Sequence, residues 1–283
     1  MKRGLQLKSL KARLNSYRLV KLASIKTMFF IVLATLSFIS PQANAVEEKS
    51  IHIAVAANFL ATLRAISSEF TYETGIEVHL SSGATGMLAA QIQRGAPFDL
   101  FFSADQKRPK MLEQKGLTEP GTRFDYVKGQ LVLWSPNPAR VRADLTNFDL
   151  SNENLRFVAI ANPKTAPYGV AAIEVLKHYG LYDKLKRQGK LVQGSNIGKT
   201  FHYVMTGSAQ LGLVAKSYVV NPEHVTHGDV FDIDSKLYPP LLQQAVVLKG
   251  RKSAEVEQFL SFFKSPRMQG LIEEYGYAVV DNL

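Results

Sequence analysis

Apolar residues along the chain fall into two kinds of run, short continuous ones and longer ones with helical spacing. Residues 51–57 form a mostly apolar run, which predicts a buried strand. Residues 58–73 follow with apolar side chains three or four positions apart, at Leu60, Leu63 and Ile66, and this spacing predicts a helix. The folded part of the chain is therefore expected to begin with a strand that leads directly into a helix.

The same alternation continues towards the C-terminus. Further strands are predicted at 75–82, 98–103, 130–135, 156–161 and 211–215. Further helices are predicted after Gly86, after Asp105 and at 169–180, 197–206, 253–264 and 266–275. Apolar strands that alternate with helices are typical of an α/β protein, in which a parallel sheet carries helices on both faces.

The first 45 residues have a different pattern from the rest. They contain eight Lys and Arg residues and no Asp or Glu, and they include the apolar run 28–39 and the tripeptide Ala43-Asn44-Ala45. This layout is typical of a secretory signal peptide, so we assign residues 1–45 to one and expect cleavage after Ala45 and release into the periplasm. An uncleaved membrane anchor is the alternative, but the apolar run is shorter than the roughly 20 residues of a transmembrane helix.

The net charge of +10 comes mostly from this leader. The whole chain has 34 Lys and Arg against 24 Asp and Glu, and removal of the eight leader cations leaves 26 against 24, a charge of +2. The basic balance therefore gives no indication of nucleic-acid binding, and none is expected. The chain has no cysteine, which excludes disulfides, thiolate metal sites, cysteine nucleophiles and a lipid-modified cysteine anchor.

The 238 residues after the leader (283 minus 45) are too many for one small doubly wound sheet. Two α/β lobes with a ligand cleft between them are the expected arrangement. The strand that begins at Gly129 is expected to cross from the first lobe to the second, and the turn-rich stretch 232–240 is expected to carry the chain back. We therefore expect lobe 1 to comprise residues 46–128 and 237–283, and lobe 2 to comprise residues 129–236.

Four predicted helices begin with small or neutral polar residues directly after a strand. The first turn of a helix exposes unpaired N–H groups and a partial positive charge, which together bind an anion without any cationic side chain. Asn58, Thr85 and Tyr168 add side-chain donors at these positions. Any one of them is more often a simple helix cap, but none of the four segments contains an acidic residue. The segments are 56–58, 83–86, 166–169 and 194–198.

Three motifs in the first half of the chain resemble those of the periplasmic molybdate-binding proteins. They are Ala54–Phe59 (AVAANF), Ser81–Leu88 (SSGATGML) and Gly95–Asp105 (GAPFDLFFSAD), and the last is the most specific. The resemblance extends over nearly all of residues 51–279. It implies a type II periplasmic-binding-protein fold that captures molybdate or tungstate and delivers it to the inner-membrane permease of an ABC importer. We expect a monomer that needs no cofactor.

The same resemblance implies a set of ligand-binding residues. The position that is often Ser at the first helix of this family is Asn58 here, and the second such position is Thr85, which keeps the hydroxyl. Tyr168 stands where many members have a small residue, and its phenol would donate directly. Ile197 would supply a backbone N–H. Some members have a tyrosine after the later Leu-Gly-Leu-Val strand, where this chain has Ala215.

Two alternative functions stay open at this point. One is a carrier of another tetrahedral oxyanion, such as sulfate. The other is an exported hydrolase or transferase on the same fold, which would need a positioned base or nucleophile in the cleft. The four helix starts supply donors and almost no titratable groups, so we favour a binding protein over an enzyme.

Three further motifs have simple structural explanations. The segment 194–200 (GSNIGKT) resembles a phosphate loop, but it has three residues between its glycines where that motif needs four. His224 and His227 are the only two histidines close in sequence, and no third metal ligand is fixed by spacing, so a surface turn is favoured over a metal site. Ser103 lacks the Gly-x-Ser-x-Gly surroundings of a hydrolase nucleophile, and Asp105 is expected to cap a helix.

Overall fold

The computed structural model describes residues 49–223 and 226–280, in which the strands form two sheets. The predicted signal peptide, residues 1–45, lies outside the described residues, as does His224. The strands are β1 (Ser50–Ala56), β2 (Glu77–Gly83), β3 (Leu100–Ser103), β4 (Phe124–Gly129), β5 (Leu131–Ser135), β6 (Val158–Ala161), β7 (Leu191–Gly194), β8 (Leu211–Ala215), β9 (Asp229–Asp232), β10 (Leu241–Val247) and β11 (Ala278–Val279).

The helices mostly follow strands, as the apolar pattern predicted. They are α1 (Leu60–Thr74), α2 (Thr85–Gln93), α3 (Lys107–Gln114), α4 (Pro167–His178), α5 (Tyr182–Arg187), α6 (Ile197–Met205), α7 (Lys216–Val219), α8 (Ala254–Phe263) and α9 (Pro266–Glu274), with 3₁₀ turns at Ala57–Phe59 and Ser235–Leu237. None of the helices in the described residues is long and apolar enough to span a membrane.

The first sheet has the strand order β11-β4-β10-β3-β1-β2. Its strands β2, β1 and β3 are parallel, so their carboxyl ends lie at one edge of the sheet. β10 is antiparallel to both β3 and β4. The expectation of a purely parallel sheet is therefore wrong for this sheet, because β10 arrives from the second sheet without a crossover helix and runs in the opposite direction.

The second sheet has the order β7-β6-β8-β5-β9 and is also mixed. β6 is parallel to β7 and β8, whereas β5 is antiparallel to β8 and β9. A single residue, Gln130, separates β4 of the first sheet from β5 of the second. The chain thus passes directly between the sheets near Gly129, and it returns to the first sheet in β10. The lobe boundaries expected from the sequence stay a prediction.

The strands are apolar because helices cover them on both faces. β3, β5, β6 and β8 are buried along their whole length. In the first sheet an aromatic cluster fills the space under α8: the Phe102 and Phe263 rings lie 5.0 Å apart, and the Phe59 and Tyr126 rings lie 4.8 Å apart. Phe59 anchors the turn that follows β1 in this core, and this fixes the position of the neighbouring residue, Asn58.

The apolar pattern predicted most of the long elements within a few residues. The N-cap of α3 is Gln106 and not Asp105 as expected, but Asp105, one residue earlier, still binds the helix start. Its carboxylate accepts the backbone N–H of Arg108 at 2.9 Å, in the first turn of α3. The strands that the pattern did not predict are shorter, more polar or preceded by proline. They are β4, β7, β9, β10 and β11.

Gly169 is required where α4 begins against the end of β6. A Cβ at this residue would lie 2.2 Å from the carbonyl oxygen of Ala161 and 2.8 Å from the nitrogen of Pro163. Both are backbone atoms, which a side-chain rotation cannot move. Gly270 in α9 is the opposite case, because a Cβ there would meet no atom within 4 Å.

These two glycines give a matched pair of substitutions. Gly169→Ala is expected to lower the free energy of unfolding by about 1–3 kcal/mol or more, since the added methyl group forces the backbone apart. Gly270→Ala is expected to raise it by about 0.5–1 kcal/mol, since alanine is the better helix former. Urea unfolding midpoints measure both changes. Equal midpoints for Gly169→Ala and the unmodified protein would contradict the close packing of α4 on β6.

Candidate functional site

Strand ends from both sheets meet at one small pocket. The turns after β1, β2 and β3 reach it from the first sheet, and the segments after β6 and β7 reach it from the second. The space between these residues, part of which is open to solvent, is about 190 Å³. The pocket is lined by Ala56, Ala57, Asn58, Gly83, Ala84, Thr85, Ala104, Ala166, Pro167, Tyr168, Asn196 and Ile197.

The structure brings all four residues predicted from the sequence into this pocket. Asn58, Thr85, Tyr168 and Ile197 are each at most 3% exposed. The first two belong to turns of the first sheet, and the other two begin α4 and α6 of the second. No Asp, Glu, Lys, Arg or His occurs among the lining residues of this pocket. The site is therefore electrically neutral at its surface and rich in hydrogen-bonding groups.

Three of the helix starts at the pocket lack a side-chain cap. The N-cap residues are Ala56 before the 3₁₀ turn that leads into α1, Ala84 before α2 and Ala166 before α4, and none makes a side-chain capping bond. Alanine is a poor N-cap because it has no acceptor for the first N–H groups. Asn58, Thr85 and Tyr168 are thus not helix caps. Some first-turn N–H groups have backbone partners, since Gly86 donates to the Thr165 carbonyl and Gly169 to the Ala166 carbonyl. Among the described residues the N–H groups of Thr85 and Tyr168 have no such partner and are available to a ligand.

The fourth helix start, that of α6, is capped by the side chain of its N-cap residue, Asn196. The Asn196 Oδ1 accepts the backbone N–H of Lys199 at 2.8 Å, at the beginning of α6. Ile197, the next residue, is the first of that helix and lines the pocket. The resemblance of this segment to a phosphate loop thus corresponds to an ordinary capped helix start.

The Thr85 hydroxyl is oriented by a backbone group at the end of β3. The Ala104 N–H donates to Thr85 Oγ1 at 3.0 Å, and both residues are buried. A hydroxyl that accepts from an N–H keeps its own proton for another acceptor. Thr85 is therefore prepared to act as a donor in the pocket.

The Tyr168 hydroxyl is arranged in the same way. It accepts from the side-chain amide of Gln243, with Nε2 and Oη 3.4 Å apart. Burial raises the pKa of the Tyr168 phenol well above its usual value of 10.0, so the group keeps its proton at neutral pH. The ring fits here because residue 129 is glycine: a Cβ at Gly129 would lie 2.2 Å from the Tyr168 oxygen.

Asn58 is held by a buried network behind the pocket. Its Nδ2 donates to Gln243 Oε1 at 2.8 Å and to Tyr277 Oη at 3.1 Å. Its Oδ1 has no hydrogen-bond partner among the described residues. The Tyr277 hydroxyl in turn donates to the backbone carbonyl of Asn58 at 2.5 Å, and its oxygen lies 3.0 Å from Ser217 Oγ. The position of the first helix turn is thus fixed from both its side chain and its backbone.

Hydrogen bonds between the two sheets' helices and turns close the structure around the pocket. The Gly86 N–H at the start of α2 donates to the Thr165 carbonyl before α4, at 2.9 Å. On the opposite side, the Tyr218 hydroxyl donates to the Ala57 carbonyl at 2.7 Å, and Ser217 Oγ donates to the Asn58 carbonyl at 3.2 Å. These contacts hold the helix starts of one sheet against those of the other.

Several residues of this arrangement were not predicted from the sequence. Gln243 lies in a strand that the apolar pattern did not show, and the role of Gly129 depends on a tyrosine 39 positions later. Ala104 was seen only as part of a motif. The sequence signal for Gln243 is the glutamine pair 243–244 within the apolar run LLQQAVV, which follows two prolines. A polar pair inside an apolar run indicates buried hydrogen bonding.

The other polar candidates lie away from the pocket or form ordinary contacts. Within the described ranges, no group of three or more His, Cys, Asp or Glu side chains is placed to hold a metal ion. The His227 carbonyl accepts the Trp134 indole N–H at 3.1 Å. Ser103 Oγ donates to Asp105, which also pairs with Arg108, so neither Ser103 nor Asp105 has the partners of a nucleophile and base.

Comparison with known proteins gives a consistent result. Residues 51–278 match the family model described as bacterial extracellular solute-binding protein. The molybdate-binding protein ModA of Azotobacter vinelandii is 41% identical over 236 residues, which are 83% of this chain and 92% of that protein. The molybdate-binding protein ModA of Rhodobacter capsulatus is 42% identical over 227 residues, which are 79% of this chain and 86% of that protein.

A solved structure supports the same relationship. The periplasmic molybdate-binding protein of Azotobacter vinelandii superposes with a TM-score of 0.76 and 37% sequence identity, and the match covers 82% of this chain and all of that one. The two-lobed α/β fold expected from the sequence is thereby confirmed. Because the family model spans most of the chain and both relatives match over most of their length, this chain belongs to the bacterial extracellular solute-binding protein family.

Proposed function

We propose that this protein captures molybdate or tungstate in the periplasm and delivers it to the permease of an ABC importer. Two relatives that are 41% and 42% identical to it are named molybdate-binding proteins. The pocket independently favours a small oxyanion, because helix starts with free N–H groups converge on it from two sheets. These two lines of support concern the same ligand class and do not depend on each other.

The observation that carries the proposal is a neutral pocket in which the oriented groups are donors. A buried dianion loses its hydration and needs hydrogen bonds in return. The hydroxyls of Thr85 and Tyr168 each accept from a protein N–H group, which leaves their protons for the ligand. The backbone N–H groups of Thr85 and Tyr168 add to these donors, and we assign a further one to Ile197.

The pocket gives no support to the alternative of an exported hydrolase or transferase. Such an enzyme needs a base or a nucleophile beside its substrate, and the lining residues include no His, Lys, Asp or Glu. The relatives are named as binding proteins. Sulfate is a tetrahedral dianion like molybdate, so a sulfate carrier is the closest competing function and is included in the test below.

The proposal extends to the organisation and location of the protein. A signal peptide at residues 1–45 with cleavage after Ala45 would place the protein in the same compartment as its periplasmic relative. Residues 46–128 and 237–283 would form lobe 1, and residues 129–236 would form lobe 2. The membership of β1–β4, β10 and β11 in one sheet and of β5–β9 in the other supports this division. We expect a monomer to dock on the permease.

The ligand class is tested by stabilisation of the folded protein. Molybdate and tungstate are expected to raise the melting temperature, because a ligand that binds only the folded state stabilises it by about 2.7 kcal/mol at a hundred times its dissociation constant. Phosphate is expected to give no shift. Monohydrogen phosphate carries a proton, and the pocket has no carboxylate to accept it.

Differential scanning fluorimetry with millimolar anions measures these shifts. Chloride at equal ionic strength is the control for general salt effects. A shift with sulfate that exceeds the shift with molybdate would replace the proposed ligand by the competing one. Equal shifts with phosphate and molybdate would refute the expected preference for an oxyanion without a proton.

The Thr85 hydroxyl is tested by a pair of substitutions. Thr85→Val keeps the shape and removes the donor, and it is expected to weaken molybdate binding about tenfold to a hundredfold, the contribution of a hydrogen bond to a charged group. Thr85→Ser keeps the hydroxyl and is expected to bind within a few-fold of the unmodified protein. Calorimetric titration measures both affinities. If Thr85→Val lowers only the melting temperature, then Thr85 supports Ala104 and does not contact the ligand.

Tyr168 is expected to hold the ligand from the second sheet. Its hydroxyl contacts the ligand only when the two sheets are closed together, so its removal should mainly raise the dissociation rate. We expect Tyr168→Phe to release molybdate about tenfold faster, within the range for a hydrogen bond to an anion. Stopped-flow release measures the rate, and Tyr72→Phe is the control, because Tyr72 is 91% exposed and distant from the pocket lining. An unchanged rate in Tyr168→Phe would leave only backbone groups on this side.

A further inference from the structure

Gln243 is a buried polar residue that contacts both sides of the pocket. It lies in β10 of the first sheet and is 0% exposed. Its side-chain amide is within hydrogen-bond distance of Asn58 and Tyr126, on the first sheet's side, and of Tyr168, at the start of α4. Gln243 does not itself line the pocket. It is therefore placed to influence the ligand through its neighbours.

The partners of the Gln243 amide fix which way it points. Its Oε1 accepts from Asn58 Nδ2 at 2.8 Å and lies 3.0 Å from the Tyr126 hydroxyl, which also lies 3.1 Å from the Ser103 carbonyl. The Tyr277 proton goes to the Asn58 carbonyl, so its oxygen accepts from Asn58 Nδ2 and fixes that amide. Because Asn58 Nδ2 then faces Gln243 Oε1, Nε2 faces the Tyr168 hydroxyl, at 3.4 Å. A half-turn of Gln243 alone would bring its Nε2 against Asn58 Nδ2, so that two donors would oppose each other.

This orientation decides the role of the Tyr168 proton. A phenol has one proton, and it donates to one acceptor at a time. With Nε2 donating to it, the Tyr168 oxygen is an acceptor towards Gln243, and its proton is left for a group in the pocket. With Oε1 in that position, the phenol would donate to Gln243 and present only lone pairs to the pocket, which an oxyanion repels.

We propose that Gln243 is a positioning residue that makes Tyr168 a hydrogen-bond donor to the bound oxyanion. The inference rests on the proposed function, since it explains why Tyr168 donates a hydrogen bond in the same pocket. Gln243 acts across the two sheets: Asn58 and Tyr126 orient it from the first, and it orients Tyr168 in the second. The close approach of Tyr168 at Gly129 brings the phenol within reach of this amide.

The contrasting arrangement has both amides turned. Gln243 Nε2 would then donate to Asn58 Oδ1, Asn58 Nδ2 would be released from Gln243, and Tyr168 would donate to Gln243 Oε1. In that case Tyr168 would give nothing to the ligand through its hydroxyl. The two arrangements therefore predict opposite effects of Tyr168→Phe on binding, and this makes the orientation of Gln243 measurable.

The main test is a double-mutant cycle with molybdate. Gln243→Met keeps the length of the side chain and removes the N–H donor. It is expected to weaken molybdate binding about twofold to tenfold, the range of one neutral hydrogen bond. In a Tyr168→Phe background the same substitution is expected to have a clearly smaller effect, because only its influence through Asn58 is left. Calorimetric titration measures the four affinities.

The neighbouring glutamine provides a matched control. Gln244 is also buried in β10, but its amide pairs with Asp125 and Arg123 outside the pocket. Gln244→Met is expected to lower the melting temperature and leave molybdate affinity unchanged. If Gln243→Met behaves like Gln244→Met, or weakens binding equally with and without the Tyr168 hydroxyl, then Gln243 is only structural and the proposal is overturned.

A second measurement needs no ligand and separates this proposal from the proposed function. The ¹³C signal of Tyr168 Cζ, assigned by its loss in Tyr168→Phe, reports whether the hydroxyl accepts or donates. Gln243→Glu has the same size and, when its carboxyl group is ionised, offers only acceptor oxygens to Tyr168, so at a pH that ionises it the signal is expected to move downfield as the phenol becomes a donor. Gln244→Met should not move it. An unmoved signal in Gln243→Glu overturns the proposal even if molybdate binds. Failure of molybdate to bind the unmodified protein and all variants refutes the proposed function alone.

Discussion

The absence of capping side chains at the pocket is the constraint from which the rest of the site follows. A helix start normally satisfies its first N–H groups with an adjacent Ser, Thr, Asp or Asn. Here alanine occupies three of the four N-cap positions. The N–H groups that the backbone also leaves unpaired, those of Thr85 and Tyr168, must then be satisfied by an outside acceptor. Parallel strands carry all these helix starts to one edge of each sheet, and the two sheets close so that the edges face each other.

The buried network behind the pocket decides which polar groups of the site donate hydrogen bonds and which accept them. A hydroxyl or an amide can serve as donor or acceptor, and a ligand that only accepts needs donors alone. The Ala104 N–H makes Thr85 a donor towards the pocket, and the Gln243 amide is placed to do the same for Tyr168. Burial of the tyrosines contributes as well, because a phenol with a raised pKa keeps its proton. The polarity of the pocket is thus decided partly by a residue that does not line it, Gln243.

The sequence predicted what depends on local pattern and failed where the contact is long-range. Strand β1, the turn with Asn58 and the four helix starts were visible because apolar runs and small residues lie next to each other in the chain. The antiparallel β10 was not, since its pattern is interrupted by glutamines whose partners lie elsewhere. Gln243 meets Asn58 across 185 positions. No spacing rule connects two such residues, and only the fold shows that they form one network.

A neutral site also suits a protein that must release what it binds. A lysine or arginine in the pocket would attract an anion in the open and closed states alike, since a fixed charge acts over distance. Hydrogen bonds from helix starts act only at contact. Because α1 and α2 belong to one sheet and α4 and α6 to the other, a separation of the sheets would remove part of the donors from a bound oxyanion in a single movement. In the proposed function, the division that completes the closed pocket would therefore weaken the open one, and the lining has no charged side chain to hold the anion back.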